Sequence, residues 1–163
     1  MAQDRASQTR HGKAIFYATR PYWAAESLCK VIESIVPKDD IEICRTIEEL
    51  SGKICPHSKT SGIAVILTGT RVELARLMSI RKTLTEANII LIIPDSEKET
   101  VVLGHSFYPR FLSYADGDFQ DVAAVLSKML AHSHEAAAGM MGHMWESQGI
   151  EEARGPSTEA YHC

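Results

Sequence analysis

The sequence predicts an α/β domain built on a parallel sheet that is covered on both faces. Three observations carry that prediction. Five short apolar, β-rich runs recur along the chain, helical apolar spacing fills the intervals, and capping signals mark several helix starts. Strand–helix alternation of this kind implies parallel strands joined by right-handed crossovers. The third and fourth runs, "IAVIL" and "IILII", are apolar throughout, as strands hidden on both faces must be.

The first strand is Ala14–Ala18, "AIFYA". Pro21 suits the first turn of the helix that follows, whose stripe is Trp23, Leu28, Val31, Ile32 and Ile35. Ile41–Cys44 alternates in polarity and belongs nearer a sheet edge. Thr46 and Glu49 then have capping-box spacing, in which the hydroxyl accepts a backbone N–H and the carboxylate reaches back. The central strand Ile63–Leu67 leads to a second such pair, Thr70 and Glu73, and to a helix carrying Leu74, Leu77, Met78 and Leu84. Ile89–Ile93 is followed by a third pair, Ser96 and Glu99. The last strand is Arg110–Tyr114, after which Asp118 caps a helix with Val122, Val125, Leu126, Met129 and Leu130 on one stripe.

Residues 1–12 read as a mobile polar lead-in and 13–134 as the domain. Residues 135–163 form a C-terminal extension, partly helical or disordered, in which four glycines interrupt any helical period. Lys and Arg are scattered, and the net charge is -4, so nothing favours nucleic acid. No apolar run is long enough to span a membrane, and no secretory signal opens the chain. Cys29, Cys44, Cys55 and Cys163 make no C-x-x-C pair, which favours reduced thiols and a cytoplasmic location.

In an open α/β sheet, ligands and reacting groups gather outside the carboxyl ends of the strands. Here those ends read Ala18-Thr19-Arg20, Leu67-Thr68-Gly69-Thr70, Ile93-Pro94-Asp95 and Tyr114-Ala115-Asp116. In element order, element length and local phrases, residues 13–134 resemble the receiver domain of bacterial response regulators. That resemblance implies a three-layer, doubly wound (βα)5 fold of flavodoxin-like type with strand order 2-1-3-4-5. It also implies a crevice where an aspartate accepts phosphate, two acids hold Mg²⁺, a hydroxyl contacts the phosphoryl group and a lysine pairs with it. The matching positions here hold none of these residues. Ala18 and Thr19 stand where the acid pair belongs, with Arg20 beside them. Leu67 or Thr68 replaces the phosphoacceptor, Ile93 or Pro94 the hydroxyl, and Tyr114 the lysine. The chain therefore resembles a degenerate receiver, expected to serve phosphorelay-type signal transduction without a cofactor, catalysis or aspartyl phosphorylation of its own.

Several residues invite sharper readings. Arg20, Thr68, Gly69, Thr70, Asp95 and Asp116 are the candidate anion or ligand contacts, with helix capping the simpler role for Thr70 and an ion pair to Asp95 or Asp116 the simpler role for Arg20. A relocated metal site on Asp95, Asp116 and Asp118 is disfavoured, since such residues commonly follow strands for conformational reasons. The spacing of His132, His134, His143, Met140, Met141, Met144 and Cys163 fits no metal motif, and Cys55-Pro56-His57 lacks the geometry of a Cys–His pair. Met140, Met141, Met144 and Trp145 are better read as an apolar anchor. In "FYPRFLSY", Tyr108 and Arg110 are the better surface candidates, Phe111 is the core candidate, and Phe107 is open to either role. In receivers this region serves dimerisation and output. The expectation is a bacterial signalling module acting on protein partners as a homodimer; the alternative is a small-molecule or nucleotide-binding domain using the crevice.

Overall fold

The computed structural model describes residues 13–20, 23–54 and 62–133. The elements are β1 (Ala14–Ala18), α1 (Trp23–Ile35), β2 (Ile41–Cys44), α2 (Ile47–Lys53), β3 (Ile63–Leu67), α3 (Arg71–Arg76), α4 (Arg81–Leu84), β4 (Asn88–Ile93), α5 (Lys98–His105), β5 (Phe111–Tyr114) and α6 (120–133). The five strands form one parallel sheet of order β2-β1-β3-β4-β5. This is a three-layer, flavodoxin-like α/β fold. The chain divides into two compact units after Leu130, and of the second unit only 131–133 lie among the described residues. Pro21, Cys55, His57, His134, His143, Met140, Met141, Met144, Trp145 and Cys163 fall outside those residues, as do residues 1–12.

Alternation along each strand divides the core in two. Ala14, Phe16, Ala18, Val65, Leu67, Ile90 and Ile92 face one way and pack with Leu28 and Ile32 of α1 and Val122 and Leu126 of α6. Ile15, Tyr17, Ala64, Ile66, Ile89, Leu91 and Ile93 face the other way, against Leu50, Leu74, Leu77, Leu84 and Phe107. Period-2 side-chain geometry makes this division unavoidable once β3 and β4 are apolar on both faces. The edge strand β2 is guarded by charge: Glu42 pairs with Lys53 at 3.3 Å and with Lys13 at 3.4 Å.

Three local expectations change in the folded chain. Trp23 is 62% exposed rather than part of the buried stripe of α1. At 100° per residue it sits about 140° around the helix from Leu28, whereas Ala24 and Ala25 lie within about 60° and take the buried places. The helix after β3 is not continuous, because a 3-10 turn at Leu77–Ile80 separates α3 from α4. That turn keeps Leu77 and Leu84 in the core and leaves Met78 at the surface. Ser96 does not cap α5. Glu97 occupies the N-cap position without a side-chain bond, Asp95 Oδ1 accepts the Glu97 N–H, and Glu99 turns to Arg71 Nη1 at 2.6 Å. The carboxylate that the spacing assigned to a capping box is thus taken by an arginine on another helix.

Among the described residues, one fully buried side-chain oxygen has no hydrogen-bond partner: Thr100 Oγ1, on the buried side of α5. A buried hydroxyl without a partner costs desolvation energy and returns nothing. Thr100→Val keeps the shape and the β-branch and removes the unmet group. It is expected to raise stability by about 1 kcal/mol, read as a higher urea midpoint at unchanged slope. A lower midpoint would mean that the hydroxyl bonds a water.

Candidate functional site: a cleft at the carboxyl edge of the sheet

Register places the sequence-selected positions in rows. Ala18 pairs with Leu67 and Leu67 with Ile92, so the ends of β1, β3 and β4 lie level, and Ile93 pairs with Tyr114 on β5. Ala18, Leu67, Thr68 and Ile93 are buried, Thr19, Pro94 and Asp95 are half-buried, and Gly69, Thr70, Arg20, Asp116 and Tyr114 are exposed. The middle of this edge is thus closed by packing.

Thr68 shows how completely it is closed. Its N–H donates to the Ile92 carbonyl at 3.0 Å, and its hydroxyl donates to the same oxygen at 2.9 Å. The side chain is fully buried. Gly69 N–H donates to Glu73 Oε2 at 2.7 Å, and Thr70 Oγ1 accepts the Glu73 N–H at 3.2 Å. The Thr19 hydroxyl donates to Glu73 Oε1. The donors that the sequence offered to an anion at Thr68 and Gly69 are therefore spent within the fold, and Thr70 Oγ1 is the acceptor that caps α3, as its spacing predicts. Glu49 does the same for α2: its carboxylate accepts the Arg45 and Thr46 N–H groups while Thr46 caps. Both bonds hold the Glu49 carboxyl below its ordinary range.

Arg20 makes no ion pair with Asp95 or Asp116 among the described residues. Strand order explains why. Neighbouring strands lie about 4.8 Å apart, so β4 is roughly 10 Å from β1, with β3 between them, and β5 is farther still. Asp95 is used in its own turn, and Asp118 Oδ1 accepts the Gln120 N–H at 3.2 Å, at the start of α6. Among the described residues no group of three or more His, Cys, Asp or Glu side chains comes together.

What Arg20 does line is a cleft of about 360 Å³ on the α2–α3 side of the sheet. Tyr17 and Thr19 form its wall from β1, Arg45 and Thr46 come from the end of β2, Ile47 and Glu48 from α2, and Glu73 and Arg76 from α3. Arg45 Nη1 donates to the Ala18 carbonyl at 3.1 Å, which ties the β2 exit to the β1 exit. Tyr17 is 1% exposed, and burial, reinforced by the Glu73 and Glu48 carboxylates, pushes its phenol up to about 12. The cleft lies at the carboxyl ends of β1 and β2, the edge of the sheet at which doubly wound folds hold ligands. Of its arginines the sequence pointed only to Arg20. Arg45 and Arg76 carried no signal, because nothing local says that a residue after β2 and one on α3 will share a wall.

At the opposite end of the strands, the segment before β5 separates two adjacent aromatics. Phe107 is buried and Tyr108 is 74% exposed. Tyr108 has φ 52, and the Arg81 guanidinium lies 5.5 Å from its ring centroid. Arg81 Nε is itself fixed on the Ser106 carbonyl at 2.8 Å. Arg110 Nε donates to Asn88 Oδ1 at 3.2 Å, and Phe111 is partly buried against the α1–α6 face.

No helix among the described residues is long and apolar enough to cross a membrane. Comparison with protein families, with characterised proteins and with solved structures finds no match to this chain.

Proposed function

We propose that this chain is a non-enzymatic, receiver-like signalling module that acts by protein contact, without aspartyl phosphorylation, and pairs with a second copy of itself. The observation that carries the proposal is the presentation of Tyr108. A non-glycine residue at positive φ costs on the order of 1 kcal/mol or more, and such strain gathers where a side chain must be held out for recognition. Of the two non-glycine residues at positive φ among those described, Phe119 is buried in the core, whereas Tyr108 is 74% exposed with its ring beside an anchored arginine. Tyrosine and arginine are the side chains most enriched at interface hot spots. Val102, on the preceding helix, adds apolar surface at 62% exposure. The buried Thr68 supports the other half of the reading, since it leaves the central strand end without an accessible oxygen for phosphate.

Sedimentation equilibrium over a wide concentration range tests this reading. The wild type is expected to dimerise, and Tyr108→Gly to weaken the dimer by about tenfold or more. Glycine relieves the positive φ, so the same variant is expected to be as stable as the wild type or slightly more so. A monomer at every concentration, or a dimer indifferent to Tyr108→Gly and Arg110→Ala, would overturn the proposed interface.

A further inference from the structure

We propose that the cleft between β1, α2 and α3 is a binding site for a small phosphate-bearing molecule, held by Arg20, Arg45 and Arg76 with the Tyr17 hydroxyl as a further contact. At about 360 Å³ the cleft lies within the range of small-ligand sites, and it lies at the carboxyl edge of the sheet, where such folds hold ligands. Three guanidinium groups from three separate elements converge on it.

Their charge is only partly offset locally. Arg71, on the same helix as Arg76, pairs with Glu99 at 2.6 Å, but none of the three cleft arginines forms an ion pair among the described residues. Arg45 commits one Nη to the Ala18 carbonyl, which orients its fork and leaves its other donors available. Glu73 accepts the Thr19 hydroxyl and the Gly69 N–H, which orients its carboxylate toward the fold. With Glu48 it makes two carboxylates in the lining against three arginines, an excess of one positive charge.

Tyr17 supplies an independent observation. It is 1% exposed, held in the core by β1, and is part of the cleft wall. A neutral phenol is a donor that completes an anion's coordination without adding charge. A phosphate group, with three terminal oxygens and up to two charges, uses several guanidinium forks at once, whereas a carboxylate has only two oxygens to share. Glu48 is then placed to accept a hydroxyl or amine proton from the body of the ligand, and it disfavours extended polyanions.

Isothermal titration at constant ionic strength tests the site with two probes, inorganic phosphate and AMP. Saturable binding is expected. Arg76→Gln should weaken it by about tenfold or more, the usual loss for a charge-assisted hydrogen bond. Tyr17→Phe should weaken it severalfold, and Lys82→Gln, on α4 and outside the cleft, should leave it unchanged. Arg76 is exposed and Tyr17→Phe preserves the buried ring, so both variants are expected to fold as the wild type does. Tighter binding of AMP assigns the site to an organic phosphomonoester, and equal binding assigns it to the phosphate group itself. No saturable heat with either probe up to about 10 mM, or equal affinity in an Arg45→Gln/Arg76→Gln double variant, would overturn the proposal.

Discussion

Thr68→Asp is expected to lower stability by about 3–5 kcal/mol, a loss of about 10 °C or more in Tm. The substitution puts an acid at the end of the central strand, at one of the two positions, Leu67 and Thr68, that the receiver resemblance offers for a phosphoacceptor. In this chain the position is fully buried, and its hydroxyl is bonded to the Ile92 carbonyl, an acceptor that a carboxylate oxygen can only repel. No cationic side chain bonds to it there. Burial disfavours the ionised form, so the folded-state pKa of the introduced carboxyl lies above its unfolded value of about 3.9. The sign of the pH dependence follows from that. Below about pH 4 the group is neutral in both states and the cost is small; as pH rises the unfolded state ionises first and the cost grows. Thermal unfolding at pH 4 and pH 7 checks both magnitude and direction. Thr68→Val, which loses the hydroxyl bond but keeps the shape and the backbone bond to Ile92, should cost only about 1 kcal/mol. If Thr68→Asp matched the wild type at pH 7, the strand end would have to be open to water, and the case against phosphorylation there would weaken with it.

Phe107→Ala is the second large effect, expected to cost about 3–5 kcal/mol. Phe107 is 1% exposed and belongs to the core that Leu74, Leu77 and Leu84 build against the sheet. Truncation leaves a cavity that short, strand-linked neighbours fill only in part. Its neighbour Tyr108 contributes almost nothing to that core, so Tyr108→Gly and Phe107→Ala should separate cleanly in urea unfolding. One is expected to be near neutral in stability and the other severe. A mild Phe107→Ala would mean that the segment before β5 moves to fill the space, and Tyr108 would then lose its fixed presentation.

The two surfaces of interest lie at opposite ends of the strands. The arginine cleft sits at the carboxyl edge beside β1 and β2, and Tyr108 sits at the amino edge beside β5. The cleft lining and the Tyr108 surface share no residue, so a substitution at one leaves the side chains of the other in place. The proposed dimer and the proposed ligand site can therefore be tested independently.

Strand positions, their order of burial and the caps at Thr46 and Thr70 were determined by the sequence itself, because each rests on local physics. Period-2 or continuous apolar runs say which residues need covering, and a hydroxyl three residues before a glutamate stabilises a helix start wherever it occurs. The same logic marked Ala18, Thr19, Arg20, Leu67, Thr68, Ile93, Pro94 and Tyr114 as one edge of the sheet, and register brings them level. Tertiary structure alone decided where long polar side chains went. Glu99 had the spacing of a cap and went to Arg71; Glu73 had the same spacing and gained Thr19 and Gly69. Arg20 had two aspartates in prospect and stands instead beside Arg45 and Arg76. The flexible side chains of arginine and glutamate each reach several ångströms, so their partners depend on which strands become neighbours. Strand adjacency is a property of the whole chain, and no window of sequence around Arg45 or Arg76 contains it.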